Sequence, residues 1–302
     1  MKYATAAAFR TALETRLLSR SKSSGTSLVR LRKTVVFDRL LARLQSVAPG
    51  RWVLKGALAH DYRLGDQART TKDIDLARQD DEKAATADFL AAQAAELEDY
   101  FVFAIERTAA LDELRDGSAV RYHAACQLAG RAFDDITVDV GFSDRLIGEP
   151  EFVRGPDVLA FADIEPVFVP ALPLAQHVAE KVHAYTREYG TRGVASTRVK
   201  DLVDLALIAG RSVIQSEELR RALVQTFQHR RLQSLPGELP RPPREWTTPY
   251  RRMASEVGIS GELAVGHHLA AELIDPVLAD SVADATWNPT AVQWRPTPEE
   301  GK

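Results

Sequence analysis

Arg69-Thr70-Thr71-Lys72-Asp73-Ile74-Asp75-Leu76 is the stretch whose reading decides the fold. Ile74 to Ala77 has the composition of a strand, and side chains along a strand alternate between faces, so Asp73 and Asp75 point the same way. Two carboxylates on one face repel each other unless a cation lies between them. Hard oxygen donors suit Mg²⁺, which is bound by one or two carboxylates together with substrate phosphates. The alternative is an ordinary acidic pair in an exposed loop or strand edge, and the motif by itself leaves both readings open.

Neighbouring sequence adds further members. In Ile136-Thr137-Val138-Asp139-Val140 the polar Asp139 sits between valines, which makes it a third candidate on an adjacent strand. Three carboxylates on neighbouring strands can hold two metal ions for phosphoryl or nucleotidyl transfer. The helix Leu174 to Tyr185 carries an apolar stripe of Leu174, Val178, Val182 and Tyr185. Lys181 flanks that stripe together with His177, four residues away. Such a lysine either runs its stem along apolar surface to reach water or supplies a point charge to a triphosphate. On the next predicted helix Asp204 lies between Val203 and Leu205, where an unpaired carboxylate is costly to bury. Lys181, Lys200 and Arg198 are its candidate partners, and Asp201 either joins them or complements the helix dipole. His267 and His268 are adjacent, point apart and read as structural.

Composition bounds the class. The 302 residues are 45% hydrophobic and 27% charged, as in soluble globular proteins, and suffice for two ordinary domains. The net charge of −3 excludes a uniformly basic nucleic-acid binder. Between Lys2 and Arg43, however, ten basic residues face only Glu14 and Asp38, which reads either as a phosphate-attracting patch or as a solvated helical face. Cys126 is the single cysteine, so a disulfide framework and a Cys-rich zinc site are excluded, in keeping with a reducing cytoplasm. The N-terminus lacks a signal-peptide core, and no apolar run reaches the roughly 18 to 20 residues of a membrane span. A soluble cytoplasmic protein is expected, and a monomer, since no heptad pattern stands out.

The periodicities predict helices over residues 5–20 and 28–44, a short strand at 52–54, a helix at 57–64 and the Asp73/Asp75 strand. An Ala-rich helix over 81–100, a strand at 101–106 and a hairpin of 119–128 with 133–140 follow. Prolines at 150, 156, 166, 170 and 173 mark a boundary, with residues 1–165 on one side and 166–302 on the other. The second part reads as almost wholly helical, with a Pro-rich loop at 236–249 and an extended tail from Asn288.

Taken in order, these motifs resemble the AbiEii/AbiGii-type nucleotidyltransferase toxins, which include the MenT-like toxins. The residues that carry the resemblance are Leu54-Lys55-Gly56 with Arg63 and Gly65, then Arg69 to Asp75, Ile136 to Val140, Ala179 to Ala184, and Lys200 to Leu205. It spans about residues 50–210 and continues loosely to Tyr250. The resemblance implies an α+β, bilobed molecule: a polymerase-β-like nucleotidyltransferase core of mixed sheet and helices, followed by an α-helical C-terminal domain. It implies a toxin, with a cognate antitoxin as partner, that adds a nucleoside monophosphate from an NTP to the 3′ acceptor end of tRNA and blocks translation. Asp73, Asp75, Lys181 and Asp204 are the implied catalytic residues. Asp73, Asp75 and Asp139 are the implied ligands of a two-ion Mg²⁺ site, and Lys55, Gly56, Ala57, Thr71, Lys72 and Lys181 the implied nucleotide contacts. This chain reads Lys55-Gly56-Ala57-Leu58 where the family's loop has Lys-Gly-Gly and a small hydroxyl residue. Transfer to a protein hydroxyl, or nucleotide or RNA binding without catalysis, are the alternative functions.

Overall fold

The computed structural model describes residues 1–65, 71–110, 119–142, 145–187, 198–230 and 233–297. Arg69 and Thr70 of the opening motif lie outside the described residues. The chain forms two compact units, the first running to Leu172 apart from short excursions and the second from Pro173 onward.

The first unit is a seven-stranded mixed sheet with helices. It contains α1 (Ala6–Ser24), α2 (Leu28–Val47), β1 (Val53–Lys55), α3 (Gly56–Leu64), β2 (Asp73–Ala77) and α4 (Glu82–Ala94). Strands β3 (Phe101–Ala110), β4 (Ala119–Leu128), β5 (Arg131–Gly141), β6 (Glu151–Arg154) and β7 (Phe168–Ala171) complete it. The sheet order is β3-β4-β5-β2-β1-β7-β6. Neighbouring pairs are antiparallel except β5 with β2 and β1 with β7, which are parallel. The helix starts follow capping chemistry: Thr5, Ser27 and Asp81 each accept an N–H from the first turn of α1, α2 and α4.

Period-two alternation fixes what each face of the central strands carries. Ile74, Leu76, Val120, Tyr122, Ile136, Val138 and Val140 are buried in one core cluster with Val35, Val36 and Leu40 of α2 and Phe89 of α4. The residues between them, Asp73, Asp75, Arg121, His123, Thr137 and Asp139, therefore share the opposite face.

The first unit reaches Leu172 rather than ending near residue 165, because β7 belongs to its sheet. Helix α4 stops at Ala94 instead of continuing to Tyr100: Glu98 and Tyr100 take positive φ, and Asp99 is buried against Arg43. Conversely α1 continues through Ser24, where Gly25 ends it in the left-handed conformation.

The second unit holds α5 (Leu174–Thr186), α6 (Val199–Ala209), α7 (Ser216–Arg230), α8 (Thr247–Glu256), α9 (Leu263–Leu278) and the antiparallel pair β8 (Ala285–Asn288) and β9 (Gln293–Pro296). Thus the Pro-rich loop ends in a helix, and the tail begins as a hairpin rather than an extended strand end. Trp287 explains the latter: its indole is fully buried and donates to the Ala209 carbonyl at 2.7 Å. No described helix is long and apolar enough to cross a membrane.

Candidate active site

The polar face of the first unit is organised by strand register. Lys55 of β1 lies opposite Asp75 of β2, Asp75 opposite Asp139 of β5, and Asp139 opposite Arg121 of β4. Directly opposed residues share a face, so the row reads plus, minus, minus, plus across four strands. Asp73 stands one pleat further along β2, opposite Thr137. All three carboxylates expected from the sequence are therefore on one face of adjacent strands.

Their surroundings differ. Arg121 grips Asp139 with a two-point fork, Nε to Oδ1 at 2.8 Å and Nη2 to Oδ2 at 2.9 Å. Among the described residues none hydrogen-bonds to the carboxylate of Asp73 or Asp75. Burial, then the charges of Asp139 and Asp75, raise the Asp73 carboxyl above its ordinary value. Arg121 was not singled out from the sequence. The signal available was its phase in β4, between buried Val120 and Tyr122.

Gly56 opens α3 beside this pair with φ +66°. A Cβ there would lie 2.0 Å from Asp75 Oδ2, so the position needs glycine for its backbone and for its lack of a side chain. Ala57, in contrast, is not at positive φ, so its backbone does not call for glycine. Leu58 is buried in the core. The first turn of α3 has no side-chain cap, which leaves its N–H groups for another acceptor. Thr71 donates its hydroxyl to the Asp73 carbonyl at 2.9 Å and so shapes the entry to β2, while Lys72 is exposed.

In the second unit Lys181 of α5 meets the acidic face of α6. Its Nζ lies 2.5 Å from Asp204 Oδ2 and 3.7 Å from Asp201 Oδ1. Arg198 Nε binds the other oxygen of Asp201 at 2.5 Å. Lys181, Asp201 and Asp204 are all buried, so this lysine does not reach out to water along the apolar stripe. Of the three candidate partners, Lys181 makes the 2.5 Å contact with Asp204. His267 faces the carbonyls of Leu239 and Pro240, and His268 lies near Glu272, as structural residues do.

The basic N-terminal segment turns partly inward. Arg10 donates to the carbonyls of Leu128, Arg131 and Ala132 at the β4–β5 turn. Lys33 pairs with Asp134, Arg32 with Glu14, Arg39 with Asp38, and Arg43 with Asp99. Arg39 and Arg43 are buried in the core. These five side chains are committed to contacts within the fold, while Lys2, Arg16 and Lys22 are exposed.

The residues fit a hard divalent cation at Asp73 and Asp75: two undonated oxygens sets on one face, mutually repelling, with Gly56 leaving room against one of them. Among the described residues no group of three or more His, Cys, Asp or Glu side chains is arranged to hold a metal ion.

Comparison with known proteins agrees with this architecture. The chain is similar over 91% of its length to MenT4, a nucleotidyltransferase toxin from Mycobacterium tuberculosis H37Rv, covering 99% of that chain at 18% identity with a TM-score of 0.54. It is also similar, at 15% identity and a TM-score of 0.49, to JHP933 from Helicobacter pylori, over 82% of this chain and 94% of that one. No curated protein matches by sequence. The family model described as nucleotidyl transferase AbiEii toxin, type IV toxin–antitoxin system, matches residues 39–266, and the chain belongs to that family.

Proposed function

We propose that this chain is the toxin of a cytoplasmic toxin–antitoxin pair, acting as a monomer to transfer a nucleoside monophosphate from an NTP to the 3′ acceptor end of tRNA and so block translation. The observation that carries the reading is the sheet face on which Asp73 and Asp75 stand undonated beside Gly56 and the uncapped start of α3.

Asp73 and Asp75 would hold Mg²⁺, which when bound supplies positive charge at the α-phosphate as pentacoordinate charge develops. The chain's own residues do the rest. The α3 N–H groups at Gly56 and Ala57 and the charges of Lys55 and Lys72 receive phosphate oxygens. Thr71, whose hydroxyl donates to the Asp73 carbonyl at the entry to β2, stands with them beside the phosphate. By the family resemblance Lys181 would bind triphosphate, and Asp204, 2.5 Å from its ammonium, would position it. In-line displacement needs positioning and charge rather than a side-chain nucleophile.

The RNA acceptor rests on the resemblance to MenT-like toxins. Arg39 and Arg43 are buried and Arg10 and Lys33 are bound internally, so these four of the ten N-terminal basic residues give RNA no surface charge, and a protein hydroxyl is the second reading.

The test is a labelling assay with Mg²⁺, each α-labelled NTP in turn, and total tRNA, run beside Asp75→Ala. Label on tRNA from one NTP, absent in a variant that melts like the parent, is the expected result. Label on a protein band would move the acceptor to protein, and no label on either would refute transfer.

A further inference from the structure

Resting on the nucleotidyltransferase reading, the register row assigns Arg121 a role of its own: we propose that Arg121 withdraws Asp139 from metal binding and limits the site to one divalent cation, on Asp73 and Asp75. Arg121 is thus a positioning residue that sets metal stoichiometry.

Three observations carry this. First, the fork engages both oxygens of Asp139, at 2.8 and 2.9 Å, while the carboxylates of Asp73 and Asp75 have no donor among the described residues. A cation arriving at this face finds two carboxylates that gain by binding it and one that must first give up a bidentate pair. Such planar two-point pairs are the strong form of the charge-assisted hydrogen bond.

Second, Asp139 cannot turn to water to serve both partners. Its side chain is 7% exposed, whereas that of Arg121 is 42% exposed. The guanidinium forms the outer lid of the pair, and the carboxylate is held beneath it. Releasing Asp139 would leave a buried charge without its cation until a metal replaced it.

Third, the position a second ion would need is already taken. Two-ion centres place their metals about 3.5–4 Å apart and need bridging acidic oxygens. Here the carboxylate opposite Asp75 that would complete such a bridge is already neutralised along the strand register.

The experiment is native mass spectrometry of the full chain with Mn²⁺ and a non-hydrolysable NTP analogue, counting ions in the chain–analogue complex. One ion is expected for the parent and for Asp139→Asn, and two for Arg121→Ala. Because Arg121 is partly exposed, its removal lets water reach Asp139, and circular dichroism verifies that the variant is folded. Should Arg121→Ala not fold, Asp139→Asn alone decides. Two ions in the parent, or fewer ions in Asp139→Asn than in the parent, would overturn the proposal and leave the transferase reading standing. A chain that forms no metal–analogue complex would overturn both.

Discussion

Replacing Gly56 by alanine tests whether the glycine is there for the carboxylate beside it. The substitution introduces a Cβ at φ +66°, 2.0 Å from Asp75 Oδ2, 2.7 Å from its Cγ and 2.9 Å from its Cβ. Holding alanine in the left-handed region costs roughly 1–2 kcal/mol. Moving the Asp75 side chain off its rotamer adds about 0.5–1.5 kcal/mol. The sum, about 1.5–3.5 kcal/mol, should lower the Tm by roughly 3–14 °C for a unit of this size. The two contributions separate in a double-mutant cycle measured by urea denaturation. Asp75→Gly removes all three contacts, so in that background Gly56→Ala should cost only about the backbone share, with a coupling of about 1 kcal/mol. Equal costs in both backgrounds would refute the claim that the Cβ meets the Asp75 carboxylate. Gly56→Ala should also lose NTP turnover, because the displaced carboxylate is a proposed metal ligand.

Two further outcomes follow from the electrostatics. Asp73 has a native pKa raised above its ordinary 3.8, first by burial and then by Asp139 and Asp75. Its stabilising contribution is therefore complete below that unfolded value and is lost as pH rises through the raised native one. Asp73→Asn in metal-free buffer should exceed the parent in stability at neutral pH, with the gap closing towards pH 3.8; parallel curves would sink this reading. In the second unit, Lys181→Met strips Asp204 of its 2.5 Å contact and leaves Asp201 to Arg198 alone. Breaking a buried pair from one side costs about 3–5 kcal/mol, and Lys181→Met/Asp204→Leu should recover much of it; a single-variant loss below about 1 kcal/mol by urea denaturation would contradict the burial.

Some of this was legible in the chain and some was not, for identifiable reasons. Alternation in Asp73 to Ala77 and in Ile136 to Val140 placed the acidic residues opposite the apolar ones, because a strand's faces are set by a local period of two. The same locality misled elsewhere. Ala-rich composition extended α4 to Tyr100, while the buried Arg43–Asp99 pair and positive φ at Glu98 and Tyr100 ended it at Ala94. Prolines at 150–173 read as a linker, yet Phe168–Ala171 pairs with β1 and β6 as a sheet strand despite Pro170. The tail from Asn288 was read as extended, whereas Gln293–Pro296 pairs with Ala285–Asn288, beside a Trp287 anchored on Ala209.

The sequence by itself determined which residues share a face and, through five motifs in order, the family that the matched residues 39–266 bear out. Tertiary structure alone decided the partners. Arg121 lies 18 residues from Asp139, and Lys181 lies 23 from Asp204. Arg10 reaches carbonyls near residue 130, where ten N-terminal basic residues had looked like a surface patch. Period and composition are local properties, whereas the neutralisation of a buried charge depends on strand register and helix packing between segments far apart in the chain.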